Sequence, residues 1–514
     1  MSLRSTSAVP APFLRAPPFP GIDPRVVTVS KVGVSTAEID YPAVFDAVRR
    51  ARVGGSFWNP VAVLGAGDGS RRCDPWSAIR DGSVEVDDPD GEQATVGWIA
   101  GARVADRHGS RISPARLEAR AIERIDAAIY RNPFTDRPVD VFGAIEILAH
   151  WRSLIDANRP IVAVTGVAAW KRDVVARFVW SGDHAVPFLA NRQAFAQARA
   201  ARGTVAYWPS RTDADIVATA RTGGVSCWQI EDGFIRSDGL GVECRPPYSV
   251  LIDRSGGIHY DPARPSDLET ILSEADFDTA TLARAAALRA RIVAERIGKY
   301  GVDRGGTVRD LPSGRKTVLA VGQVEDDLSV RHGGGGIRSN LEFLRRIRAH
   351  EPHAYIVYRP HPDVLSGLRA GHVPKALAGE IVDHVDDAGA LLPLVEAVDC
   401  VHVLSSLTGF EALLRGREVV VHGSPFYAGW GLTTDLATQP DRRTRRLTLD
   451  ALVAGALILA PRYLDPVTML PCQVETLIDR IVAGMPQPDG LLTRFRQALG
   501  ATRRSIAVAQ DRWR

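Results

Sequence analysis

Ser405, Ser406, Thr408 and Gly409 lie between a short apolar run, VHVL at 401–404, and a helical pattern at 410–415. The run has the length of a buried parallel strand. Hydroxyls and a glycine at a strand-to-helix junction leave backbone N–H groups free at the positive end of the helix dipole, which makes an anion site. The same residue types also serve as ordinary helix caps. A second buried strand at 418–422 follows, then an aromatic loop containing Pro425, Phe426, Tyr427 and Trp430. Together these read as half of a nucleotide pocket, with Glu411 on its helix.

Three further polar clusters follow predicted strands. In QIEDGFIRSDGLG, at 229–241, Glu231 and Asp232 come directly after a strand, and Gly233, Gly239 and Gly241 allow tight turns. A carboxylate there serves as nucleophile, base or metal ligand, or merely pairs with an arginine such as Arg236. GQVEDDLSVR, at 322–331, presents Gln323, Asp326, Asp327 and Arg331. Its two aspartates suit a magnesium ion or ion pairs with Arg331 and Arg338. In YRPHPD, at 358–363, two prolines stiffen the loop that carries Arg359 and His361. Both are charge-assisted donors suited to a phosphate or carboxylate. The 12 histidines show no HxxxH or Cys/His spacing, so no structural zinc is expected.

The elements that must position these clusters form two α/β series. The first has strands at 161–165, 204–208, 226–230 and 248–252, with helices at 144–157, 192–201, 214–221 and 281–297. This alternation predicts a doubly wound parallel sheet. Residues 302–316, rich in glycine, proline and charge, read as a linker. The second series has strands at 317–321, 354–358, 400–404 and 418–422, and a helix at 340–350. Ligands of open α/β sheets bind beyond the carboxyl ends of the strands, where the clusters fall.

The boundaries predicted are 1–30, a proline-rich flexible lead; 31–131, an N-terminal region without a readable role; 132–310, the first α/β lobe; 311–483, the second; and 484–514, a basic tail. At 514 residues, more than one core is expected. A content of 45% hydrophobic and 24% charged residues fits a globular protein, and a net charge of +3 argues against a dedicated nucleic-acid binder. Arg442, Arg443, Arg445 and Arg446 form a basic run, and the tail carries Arg503, Arg504, Arg512 and Arg514. Such runs are solvated faces or contacts to an anionic membrane. Five scattered cysteines predict reduced thiols, and no signal peptide or apolar span of about twenty residues is readable, so the expected location is cytoplasmic. VAVLGAGDGS, with Gly65 and Gly67, is a weak dinucleotide fingerprint because no helix follows it.

EDGFIRSDGLG, DPARPSDLE, GQVEDDLSVR, YRPHPDV, SSLTGFEALLRG and PFYAGWGLT, in this order, resemble the bacterial capsule polysaccharide biosynthesis and export family of retaining β-Kdo glycosyltransferases. The resemblance covers about 132–483. It implies an α/β, GT-B-like fold of two Rossmann-like lobes facing a cleft, with an extra N-terminal region. It implies CMP-Kdo as donor, a lipid-linked Kdo-oligosaccharide as acceptor, and Asp232 as the nucleophile of a covalent glycosyl-enzyme, with Glu231 orienting it or holding the acceptor. By the same resemblance Gln323, Arg331, Arg359, His361, Ser405, Ser406, Thr408 and Glu411 bind the donor, with no metal and no cofactor beyond it. A capsule synthesis or export complex at the inner-membrane surface is the implied partner, and nucleic acid is not. The chain carries one module where many relatives carry two, and it is closer to the second. The alternatives are a GT-B enzyme using another nucleotide sugar and a non-catalytic export scaffold.

Overall fold

The computed structural model describes residues 12–22, 30–32, 39–61, 73–237, 245–303, 305, 310–367, 369–387 and 390–484. Gly65, Gly67, Gly239, Gly241, the tail arginines and most of the proline-rich lead lie outside these residues. The chain divides into two compact units: one of 1–162, 175–187 and 468–471, the other of 163–174, 188–467 and 472–514. The boundary near 132 read from sequence falls inside the first unit.

The first unit carries β1 (Ser30–Val32), α1 (Tyr41–Ala51), β2 (Ser83–Val86), α2 (Glu92–Ile99), β3 (Arg103–Asp106), α3 (Pro114–Asp126), β4 (Ala128–Tyr130) and α4 (Val141–Asn158). Asp40 caps α1, its side chain accepting from the Ala43 N–H, and a proline occupies the first turn where no N–H is needed. Helix α4 buries Val141, Ala144, Ile145, Leu148, Trp151 and Ile155, the three- and four-residue spacing of one helical face. That face joins Val44, Phe45 and Val48 of α1 in a common core. The parallel pair β2–β3, linked by α2, makes a small βαβ unit in the region where sequence offered no periodicity.

The second unit contains two sheets. Its first half begins with β5 (Ile161–Thr165) and α5 (Arg172–Phe178), each divided between the two units, and continues with α6 (Asn191–Ala201), β6 (Thr204–Tyr207), α7 (Ala214–Thr222), β7 (Ser226–Asp232), β8 (Ser249–Asp253), α8 (Asp267–Glu274) and α9 (Thr279–Ala294). A hairpin follows, β9 (Ile297–Gly298) and β10 (Gly301–Val302). The other half holds β11 (Thr317–Val321), α10 (Leu328–Gly333), α11 (Asn340–His350), β12 (Tyr355–Arg359), α12 (Pro362–Leu365), α13 (Lys375–Gly379), β13 (His384–Val385) and α14 (Leu391–Ala397). It continues with β14 (Cys400–Val403), α15 (Leu407–Leu414), β15 (Glu418–Val421), β16 (Thr434–Asp435), α16 (Leu449–Val453), β17 (Arg462–Leu464), β18 (Pro471–Cys472) and α17 (Val474–Ala483). No described helix is long and apolar enough to cross a membrane.

The second sheet runs β13-β12-β11-β14-β15-β16, every pair parallel. This is the doubly wound order 3-2-1-4-5-6, whose direction reverses between β11 and β14. The other sheet, β18-β17-β8-β7-β6-β5, departs from the all-parallel expectation. Strands β6 and β7 are parallel, but β8 is antiparallel to both β7 and β17. The β7–β8 ladder also extends past Ile230, pairing Glu231 with Leu251 and Asp232 with Val250. The two carboxylates therefore belong to the strand end, where a backbone ladder fixes them, rather than to a loop after it.

His402, on β14, and His422, just after β15, are fully buried, with His402 Nδ1 3.0 Å from His422 Nε2. Burial, and then the neighbouring histidines and cations, push His402 down to about 2; burial and then Arg346 and His350 push His422 down to about 4. The unfolded chain binds protons at these positions from the ordinary 6.5, whereas the folded chain refuses them until lower pH. Stability is therefore complete above 6.5 and falls with acid, by about 1.4 kcal/mol per pH unit per histidine. Urea midpoints between pH 7.5 and 5 are expected to fall more steeply for the wild type than for His422→Gln. Equal slopes would remove the histidines from the acid response.

Candidate active site

A cavity of about 890 Å³ opens between the two sheets of the second unit. All ten residues singled out from sequence line it: Glu231, Asp232, Gln323, Arg331, Arg359, His361, Ser405, Ser406, Thr408 and Glu411.

On the second-sheet side, the loops after β11 and β14 meet at the point where the strand order reverses. Gln323 bridges them, its Nε2 donating to Ser405 Oγ (3.1 Å) and its Oε1 accepting from the Ser405 N–H (2.8 Å). Ser405 Oγ in turn donates to Ser329 O on α10 (3.0 Å). Ser406 caps α15, accepting from the Thr408 N–H at 3.2 Å. Ser406 thus closes the helix end while Ser405 and Thr408 also line the cavity. The aromatic loop packs against this turn, Tyr427 donating its hydroxyl to Ser406 O. A side chain at Gly409 would meet the Tyr427 hydroxyl at 2.3 Å, which accounts for the glycine.

Arg359 ends β12 and is held by Asp386, Nη1 to Oδ2 at 2.7 Å. His361 caps α12, its Nδ1 accepting from the Asp363 N–H at 3.1 Å. Burial pushes the His361 pKa below its ordinary value and favours the neutral ring, which, with Nδ1 accepting, carries its proton on Nε2. Glu411 is buried with its pKa raised by that burial, and its Oε1 accepts from the Lys299 N–H at 3.0 Å. Asp326 pairs with Arg369 at 3.1 Å and Asp327 caps α10, so neither takes Arg331 or Arg338 as partner.

On the opposite wall Asp232 is gripped by two cations. Arg236 Nε donates to Oδ2 at 2.7 Å, and Lys171 Nζ lies 3.1 Å from Oδ1. Arg236 is 1% exposed, and the Lys171 ammonium stands 3.7 Å over the Trp208 ring. Burial alone would raise the Asp232 pKa, but Arg236 and Lys171 outweigh it and leave the carboxyl below the usual aspartate range. Its neighbour moves the other way: burial, then the Asp232 charge, push Glu231 up. Two adjacent carboxyls driven apart in this manner are poised for different roles, one ionised and one holding a proton. Gly233 has no room for a side chain, since a Cβ there would lie 2.2 Å from Ser249 Oγ.

Sequence reasoning missed Lys171 and Lys299. Lys171 lies in an unremarkable polar stretch 61 residues before its partner, so nothing local marks it. Lys299 carried a usable signal, the glycine-framed turn of IGKYG.

A profile of capsule polysaccharide biosynthesis proteins matches residues 204–463, about half the chain and both walls of this cavity. The chain belongs to that family. It is 39% identical over 391 residues to the capsule polysaccharide modification protein LipA of Neisseria meningitidis serogroup A, an alignment covering 74% of this chain and 55% of LipA. It thus spans about half the length of that relative. The lipopolysaccharide-processing protein LpsZ of Rhizobium meliloti is 39% identical over 317 residues, 60% of this chain and 70% of LpsZ. Among solved structures, the β-Kdo 2,7 transferase of Thermosulfurimonas dismutans KpsC matches with a TM-score of 0.51 at 31% identity. The β-Kdo 2,4 transferase of the same KpsC matches with 0.52 at 30% identity. Each match covers 62% of this chain and 98% of the other. The two-lobed GT-B-like fold read from sequence is therefore the fold of this capsule-family chain.

One family motif serves packing. In DPARPSDLE, Ser266 caps α8 and the buried Glu269 holds Arg442 and Arg443. Arg445 donates to the Ala275 carbonyl at 2.9 Å. Arg443 is thus buried on an internal acceptor, while Arg442 and Arg446 stay exposed, so the run is a solvated edge with one buried member.

Proposed function

We propose that this protein is a retaining β-Kdo glycosyltransferase that takes Kdo from CMP-Kdo and adds it to a Kdo-terminated glycolipid in capsular polysaccharide biosynthesis. Membership of the capsule family and likeness to two Kdo transferases support the reaction class. The observation that carries the reading is Asp232, an ionised carboxylate held by Arg236 and Lys171, facing an anion cradle at the switch point of a doubly wound sheet.

CMP occupies the cradle, with its phosphate among Ser405, Ser406 and the α15 N-terminus and beside Arg331 and His361. Asp232 attacks the anomeric carbon as the bond to phosphate breaks, and CMP leaves as a stable anion. Once Asp232 is esterified its charge is gone, so the pKa of Glu231 falls and its proton departs with CMP. The Glu231 carboxylate then takes the proton of the acceptor hydroxyl as that oxygen displaces Asp232. Return of the Asp232 charge raises Glu231 again and retains the proton. Two displacements retain configuration. Fixed cations and helix N–H groups stabilise the leaving phosphate, and the proposal includes no cofactor beyond the donor. The glycolipid acceptor places the work at the inner face of the membrane, alongside the capsule export machinery.

The test is incubation with CMP-Kdo generated in place and a synthetic Kdo-terminated acceptor, followed by intact mass spectrometry and NMR of the product. Expected are one added β-linked Kdo, a transient glycosyl-enzyme, and a rate unchanged by EDTA; the product's linkage identifies the 2,4 or 2,7 class. No CMP release with any Kdo-terminated acceptor would point to another nucleotide sugar or to a scaffold.

A further inference from the structure

Lys299 and Tyr300 are the two turn residues of the β9–β10 hairpin, between the paired Gly298 and Gly301. The turn is tied to both walls of the cavity through its backbone. Lys299 O accepts from the Arg236 N–H at 2.9 Å, and the Lys299 N–H donates to Glu411 Oε1 at 3.0 Å. Its position is thus set beside the arginine that grips Asp232 and beside the helix that caps the anion cradle.

The side chain is not used in this way. Among the described residues no carboxylate lies within salt-bridge distance of the Lys299 ammonium, whose one recorded contact is the Tyr300 ring at 5.4 Å. Three of the cavity's carboxylates are occupied elsewhere: Asp232 by Arg236 and Lys171, Asp326 by Arg369, and Asp327 by the first turn of α10. Yet the ammonium acts electrostatically on Asp232 and Glu231, and on His361 across the cavity. A lysine is charged at neutral pH, and a charge withdrawn toward a cavity without a counter-ion is matched by the ligand. Arg331 is the other cavity cation without a partner among the described residues, but it stands on α10, next to Ser329 and the Ser405 cradle. The two unpaired cations thus divide between the phosphate end and the Asp232 end.

The chemistry at the Asp232 end calls for such a charge. In a 2-keto sugar acid the anomeric carbon carries a carboxylate, so attack by Asp232 brings two anions onto adjacent atoms. A neutral hexose poses no such problem. We propose that the Lys299 ammonium binds the donor's carboxylate and makes Lys299 the residue that selects a sugar acid over a neutral sugar. This rests on the donor reading above.

The experiment compares wild type, Lys299→Met and Lys299→Arg in kcat/KM for CMP-Kdo and in inhibition by CMP, which has the phosphate but no sugar carboxylate. Lys299→Met is expected to lower kcat/KM about 100-fold while the CMP inhibition constant stays within about twofold, and Lys299→Arg to recover most of the loss. Parallel weakening of CMP inhibition would place Lys299 on the phosphate or in the scaffold and overturn the inference, as would a kcat/KM change below about threefold. Failure of the donor reading shows separately and first, as wild type that binds CMP but releases none from CMP-Kdo, and it removes this inference with it.

Discussion

Asp232→Asn is expected to lower Kdo transfer by about 10⁴-fold or more, the usual scale for loss of a covalent nucleophile. Asparagine keeps the shape and an oxygen acceptor for Arg236 or Lys171, so the site stays assembled while the charge that attacks is lost. CMP affinity, which the proposed binding mode assigns to the loop around Ser405, is expected to hold within about twofold. The pH dependence gives a second readout. Because Arg236 and Lys171 depress the Asp232 pKa below 3.8, its ionised form persists at all pH values above that and is lost only on further acidification. Glu231 starts each cycle protonated because its pKa is raised, so kcat/KM is expected to hold level on the acid side of neutrality, and a fall there would contradict that starting state. Retained transfer by Asp232→Asn would exclude the covalent route.

Arg152→Met is expected to destabilise the first unit by about 3–5 kcal/mol, the cost of leaving one member of a buried ion pair alone. Asp74 is fully buried, and Arg152 Nη2 reaches its Oδ2 at 2.7 Å. Arg152 also donates to the Phe57 carbonyl at 3.0 Å and to Asp156 at 2.7 Å, so one guanidinium ties three segments together. Adding Asp74→Asn to Arg152→Met removes the stranded charge and is expected to recover a large part of the loss. Urea unfolding followed by tryptophan fluorescence reads this directly, because Trp151 and Trp180 share the same core. A loss under about 1 kcal/mol would mean that Arg159, whose Nη2 lies 3.8 Å from the same oxygen, takes over the pairing.

Legibility from sequence followed the range of the forces involved. Strand β11, at Thr317–Val321, and helix α11, at Asn340–His350, lie where the pattern predicts them. Their apolar spacing and caps are local, and in an all-parallel sheet each strand is buried on both faces and reads as a continuous apolar run. The clusters around Asp232, Gln323, His361 and Ser405 were legible for a related reason: polar residues and glycines directly after such runs stand out, and the doubly wound order brings strand ends to one edge.

What the residues alone determined, then, was two α/β halves, the polar clusters at their strand ends, and through six motifs the capsule family. Tertiary structure decided which charges meet. It turned β8 antiparallel so that its ladder carries Asp232, brought Lys171 to that carboxylate across 61 residues, spent Arg442 and Arg443 on Glu269, and left Lys299 without a salt-bridge partner among the described residues on the Asp232 side of the cavity. Local propensity is written within about ten residues of chain, whereas the pairing of a buried charge depends on which distant groups share its low-dielectric surroundings, and no window along the sequence contains both.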